Sequence, residues 1–197
     1  MNTARKIDPL MTVAEFLKWP GDGSGRRFEL VDGVVRMQDS ASDAHGTIQM
    51  RLGVIIGNHL DAKRPNCRVV ANPGVAPRLN ADWNYREPDL GVTCAPNTAG
   101  VHMLPEPVLL IEVLSPSNAD KTWRNILLYA TIPSVNEILI VDSTKVSVQL
   151  RRRLDDGSWP HRPSPFGPGE AVRLETIDLV IPLCDIYRHT FLAPSSG

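Results

Sequence analysis

Two acids in this sequence stand where apolar strands should not have them. The run Val108-Leu109-Leu110-Ile111 is broken by Glu112 before it closes in Val113-Leu114-Ser115-Pro116-Ser117. An unpaired buried carboxylate costs several kcal/mol, so Glu112 must be neutralised, paired or bound to a cation. Asp89, preceded by Pro88, stands at the mouth of a second apolar segment, Leu90-Gly91-Val92-Thr93-Cys94. Two strands that each bring one acid to a shared edge suit a hard cation. Mg²⁺ and Mn²⁺ prefer oxygen ligands and often take only one or two carboxylates from protein. Taken alone, Asp89 also reads as a strand-entry residue; Glu112, inside Leu-Leu-Ile-Glu-Val-Leu, does not.

Composition bounds what surrounds such a site. A chain of 197 residues, 42% hydrophobic and 22% charged, is expected to form a single domain with a real core, 1–197. A formal net charge of −1 and a pI near 6.5 give no global pull toward polyanions, so any such binding rests on local patches. Cys67, Cys94 and Cys184 lie far apart without CxxC spacing, which speaks against a zinc ribbon and for buried, reduced thiols. No apolar stretch approaches a membrane span, and the start Met1-Asn2-Thr3-Ala4-Arg5-Lys6 lacks a signal-peptide core. The expectation is a cytoplasmic protein with no membrane partner.

The elements that must position the acids follow in order. Thr12, three before Glu15, is a capping-box pattern for a short helix over about residues 12–19. Asp32-Gly33 between Phe28-Glu29-Leu30-Val31 and Val34-Val35-Arg36-Met37 is a type I′ hairpin signal. Ile48, Leu52, Ile55, Ile56 and Leu60 recur at helical spacing, predicting a helix over roughly 43–62 with His45 in its first turn. Short strands are expected over about 67–70 and 75–79, then the two acidic strands. Asn118 is placed to cap a helix of about 119–131, whose buried stripe reads as Trp123, Ile126, Leu127 and Ala130. Strands over 137–142 and 145–150 follow, then a Pro/Gly-rich loop over 160–169. Short strands near 171–174 and 179–181 precede a final turn around 184–187. The alternation implies one α/β (α+β) domain with a mixed sheet.

The same order of parts carries a resemblance. The Glu-Leu-Val-Asp-Gly hairpin, the His-led helix, the Pro-Asp strand, the Glu-Val-Leu-Ser-Pro-Ser strand end and the helix finishing in Tyr129 resemble the putative restriction endonuclease family of Uma-type nucleases. That family lies in the PD-(D/E)XK superfamily, and the likeness runs from about 12 to 187. It implies a restriction-endonuclease-like mixed central sheet flanked by helices and a Mg²⁺- or Mn²⁺-dependent endonuclease acting on DNA, expected as a homodimer. The family's acids map onto Asp89 and Glu112, its hairpin Glu onto Glu29 and its helix-start His onto His45. The implied metal set is Asp89, Glu112, Val113 and His45.

One position departs from the pattern. The superfamily's Lys, two residues after the Glu, is Leu114 here. The family's own helix Lys, four before the Tyr, is Asn125. Lys121 lies one turn earlier on the same face and is the candidate replacement. Residue by residue, bland readings stand beside these. Glu29 either serves the site or pairs with Arg27 or Arg68; His45 either binds metal, caps its helix or stays solvated. Two functions follow: a metal-dependent DNA nuclease, or a nuclease-fold protein that has lost cleavage and binds nucleic acid or regulates. A small-molecule enzyme on this scaffold has no positive feature in the sequence.

Overall fold

The computed structural model describes residues 10–116 and 119–193. Its centre is a six-stranded sheet in the order β3-β4-β5-β6-β7-β8. The strands are β3 (Arg68–Ala71), β4 (Leu90–Thr93), β5 (Pro107–Leu114), β6 (Glu137–Asp142), β7 (Val148–Arg152) and β8 (Ser164–Phe166). All neighbours are antiparallel except β5 and β6, which run parallel. A parallel pair needs a long crossover, and helix α3 (Ala119–Tyr129) supplies it. The sheet is therefore mixed, as the alternation of elements implies.

Alternation along β5 sorts the core into two layers. Leu109, Ile111 and Val113 pack with Ile48, Leu52, Ile56 and Leu60 of helix α2 (Asp43–Lys63). Leu110 joins Ile126 and Tyr129 of α3 with Ile138 and Ile140 on the opposite face. Since β side chains alternate, Glu112 belongs with Leu110 and looks toward α3. A hairpin of β1 (Phe28–Val31) and β2 (Val34–Met37) lies outside the main sheet. Asp32 at φ 47° and Gly33 at φ 81° make the left-handed turn that the Asp-Gly pair predicts. The hairpin is tied on through paired backbone bonds between Leu30 and Tyr85. The capping box of Thr12 and Glu15 is present, on a helix α1 of only one turn (Val13–Phe16).

Several expectations are corrected. The buried face of α3 is Thr122, Asn125, Ile126 and Tyr129, while Trp123 is 37% and Leu127 62% exposed. The helix is turned so that its amide and hydroxyl groups face buried carboxylates, and polar demand overrides the apolar stripe. The segment 75–79 is no strand: Val75 and Gly74 each make one isolated bridge, and Pro77 has no N–H to extend a ladder. Within the expected loop 160–169, β8 pairs with β7 despite Pro165, which an edge strand tolerates. The strand after β6 begins at Val148 rather than 145. β9 (Ala171–Leu174) and β10 (Leu179–Pro182) form a separate hairpin before the one-turn α4 (Leu183–Ile186). The capping role of Asn118 lies outside the described residues.

The thiol reading also fails. Cys67 and Cys94 form a disulfide, and the free Cys184 is exposed. Arg68 pairs with Thr93 in the β3–β4 ladder, so the two cysteines face each other one step beyond it. Their 27-residue separation in sequence hides that adjacency.

Candidate functional site

Pairing of β4 with β5 sets Leu90 opposite Ile111, and one further step brings Asp89 opposite Glu112. Both carboxylates line a cleft of about 50 Å³, enough for a few waters or a hydrated cation. Glu29, His45, Glu87, Lys121 and Asn125 line it as well. Residues that the sequence places on a hairpin, a helix start, two strands and a second helix thus converge.

Asp89 is held on both oxygens. His45 Nε2 lies 2.9 Å from Oδ1 and the Val113 N–H donates to Oδ2 at 2.7 Å. Val113 thereby enters the site through its backbone, and His45 through a contact with the acid itself. Ser42 caps α2, its hydroxyl accepting from the His45 N–H at 3.3 Å. That cap fixes the first turn, from which His45 reaches inward.

Glu112 is buried, and the Tyr129 hydroxyl donates to its Oε1 at 2.6 Å. Burial, and then the charge of Asp89, push its carboxyl well above the usual range; the Tyr129 bond and Lys121 pull the other way. Tyr129 is itself driven well above its ordinary value, by burial first and then by Glu112. Burial of like charges on adjacent strands has no stabilising rationale of its own.

Glu29 is fully buried in β1. Neither Arg27 nor Arg68 pairs with it: Arg68 bonds the Ala95 carbonyl, and Arg27 lies 3.9 Å from Glu87. Its partner is Lys121, whose Nζ stands 2.6 Å from Oε2. The other oxygen accepts from the Glu87 N–H at 3.0 Å and the Asn125 amide at 3.4 Å. Lys121, 41% exposed along its side chain, thus reaches into the cleft, where Glu29 captures its ammonium. Asn125, at the position where the resemblance expects Lys, touches the same carboxylate.

Two contributors escaped the sequence reading. Glu87 precedes Asp89 by two residues, and both side chains line the same cleft. Burial pushes its carboxyl up to about 7, against Arg27 and a Gln38 amide at 3.0 Å. The i, i+2 spacing was its available signal. Arg86, buried nearby, donates to the Leu30 carbonyl at 2.9 Å and the Asn84 side chain at 2.8 Å, which docks the hairpin. Nothing local in the sequence marks it.

The donor set fits a hard cation. Asp89 and Glu112 offer only oxygen, and a cation between them offsets the burial and the repulsion by Asp89 that keep Glu112 reluctant to ionise. Among the described residues no group of three His, Cys, Asp or Glu is arranged as metal ligands. The fit is therefore to an ion that keeps most of its ligands as water, as Mg²⁺ does.

Comparison with known proteins places the chain by family and by fold. The model of the Uma2 family, described as putative restriction endonucleases, matches residues 13–183. An uncharacterised protein of Synechocystis, slr1290, is 32% identical over 153 residues, covering 77% of this chain and 78% of that one. A crystal structure of a putative nuclease belonging to DUF820, from Anabaena variabilis, superposes with a TM-score of 0.73 at 20% identity. It covers 90% of this chain and 97% of the neighbour, which establishes a shared fold. The chain belongs to the Uma2 family.

Proposed function

We propose that this family member is a metal-dependent endonuclease that hydrolyses phosphodiester bonds of DNA in the cleft between β4, β5 and α3. One observation carries the reading: two acids that repel each other are held face to face in a polar cleft, with an ammonium beside them. Asp89 and Glu112 would hold Mg²⁺ or Mn²⁺. When bound, such an ion polarises a phosphate and lowers the pKa of a coordinated water. His45 and the Val113 N–H keep the Asp89 carboxylate aimed, and Tyr129 does the same for Glu112. Lys121 offers its ammonium to the negative charge that grows on the scissile phosphate. Glu29 holds that ammonium in place until substrate competes for it.

A near-neutral chain must gather its positive charge locally to hold DNA, and Arg27 and Lys121 already line the cleft. Arg26, Arg51, Lys63 and Arg64 are further candidates. A homodimer would present two clefts, one for each strand. No helix among the described residues is long and apolar enough to cross a membrane.

Asn125 favours a second reading, a nuclease-fold module that binds nucleic acid without cutting it. Plasmid nicking in Mg²⁺ by wild type, Lys121→Ala and Asn125→Lys separates the two. The nuclease reading expects nicking by wild type that Lys121→Ala abolishes, and DNA affinity that falls as salt rises. A wild type that binds DNA but never nicks it transfers the conclusion to the binding module. Affinity indifferent to salt counts against both.

A further inference from the structure

We infer that Gln49 is a positioning residue for Asp89, fastening the backbone of the acid whose carboxylate His45 holds. The inference rests on the metal-site reading above and concerns how that site is kept in shape.

His45 and Gln49 are four apart on α2, so they project from one face, one turn above the other. Both end on residue 89. His45 meets the carboxylate; the Gln49 side-chain amide donates to the Asp89 carbonyl at 2.8 Å. That same amide donates to the Asn72 side-chain oxygen at 3.0 Å. Asn72, just beyond β3 in a left-handed conformation (φ 48°), donates its own N–H to the Asp89 carbonyl at 2.9 Å. With the Val113 N–H on Oδ2, residue 89 is gripped from α2, β5 and the exit of β3.

The arrangement has a physical purpose. Asp89 sits one residue before β4 begins, where bonds to its own carbonyl and carboxylate, rather than strand pairing, keep the chain from pivoting. A short carboxylate that swings by an ångström loses its share of a cation. Two donors on its carbonyl remove the pivot without occupying the carboxylate oxygens. Gln49 does not line the cleft, so it touches neither ion nor substrate. Its effect must pass through Asp89.

The experiment titrates Mn²⁺ into full-length wild type, Gln49→Glu and Asn72→Gly by calorimetry, with a urea midpoint measured for each. Gln49→Glu keeps the shape of the side chain but removes the donating amide. Asn72→Gly keeps the left-handed turn and its N–H but removes the oxygen that tethers Gln49. Groups that orient metal ligands are typically worth about 10- to 100-fold in affinity. The expected result is roughly tenfold weaker Mn²⁺ binding in Gln49→Glu and a smaller loss in Asn72→Gly, with cooperative unfolding retained. Should Gln49→Glu fail to fold, Asn72→Gly decides alone. Wild-type affinity in the folded variants overturns the positioning role while leaving the metal site standing. A wild type that binds no Mn²⁺ overturns the metal site and this inference together.

Discussion

Replacing Glu112 by Gln should stabilise the protein above neutral pH while removing its metal response. The wild-type carboxylate is buried, faces Asp89, and prefers to keep a proton that the unfolded chain releases near the ordinary carboxyl value of 4.5. The native state therefore binds more protons than the unfolded state from pH 4.5 upward. Stability falls as pH rises toward the raised native value, and the whole penalty is present above it. Gln has the same shape and carries no charge. Ionic burial costs several kcal/mol even after relaxation. Against that gain, the Tyr129 hydroxyl exchanges a charged acceptor, worth about 1.5–3 kcal/mol, for a neutral one worth about 1 kcal/mol. The balance is about 1–3 kcal/mol in favour of Glu112→Gln at pH 8, or roughly 2–12 °C in Tm for a chain of this size. Thermal melts from pH 4.5 to 8.5, without divalent ions, measure it. Glu87, raised to about 7, titrates in the same direction in both proteins, so the difference between the two curves isolates Glu112. That difference should be small at pH 4.5 and widen with pH. Added Mg²⁺ should raise the Tm of wild type only. A variant less stable at pH 8, or a difference flat across pH, would refute the account of Glu112 as a strained, ion-seeking acid.

Lys121→Ala should cost about 1–2 kcal/mol in urea unfolding as well as cleavage, because it strands the buried Glu29; the loss is discounted for the partial exposure of Lys121. Lys121→Ala/Asn125→Lys should recover part of both, since position 125 already contacts the same carboxylate. Recovery of neither would show that the cleft cannot exchange one lysine for the other. Reduction of the Cys67–Cys94 bridge should lower stability by about 3.5 kcal/mol on chain-entropy grounds for a 27-residue loop. Thiol titration of the unreduced, unfolded protein should find one free cysteine, and three would remove the bridge.

Much of the fold was legible because its signals are local. The Asp32-Gly33 turn needs two left-handed residues, and few pairs supply them. The 3.6-residue period of Ile48, Leu52, Ile56 and Leu60 demands a helix whatever lies beneath it. Glu112 announced itself by interrupting an apolar run, an anomaly that needs no partner to be seen. What depends on contact between distant segments was out of reach. Cys67 and Cys94 read as separate thiols until the β3–β4 register set them face to face. Trp123 and Leu127 looked like core, yet α3 turns Asn125 and Tyr129 inward, because buried carboxylates on β1 and β5 need donors more than two apolar side chains need cover. Lys121 read as the candidate replacement for the missing helix Lys with no partner in view; only packing of the hairpin against α3 gives it Glu29. A sequence displays its own periodicities and its misplaced charges, but the partner of a charge is chosen by tertiary packing, since a few ångströms decide the energy and no local pattern encodes them.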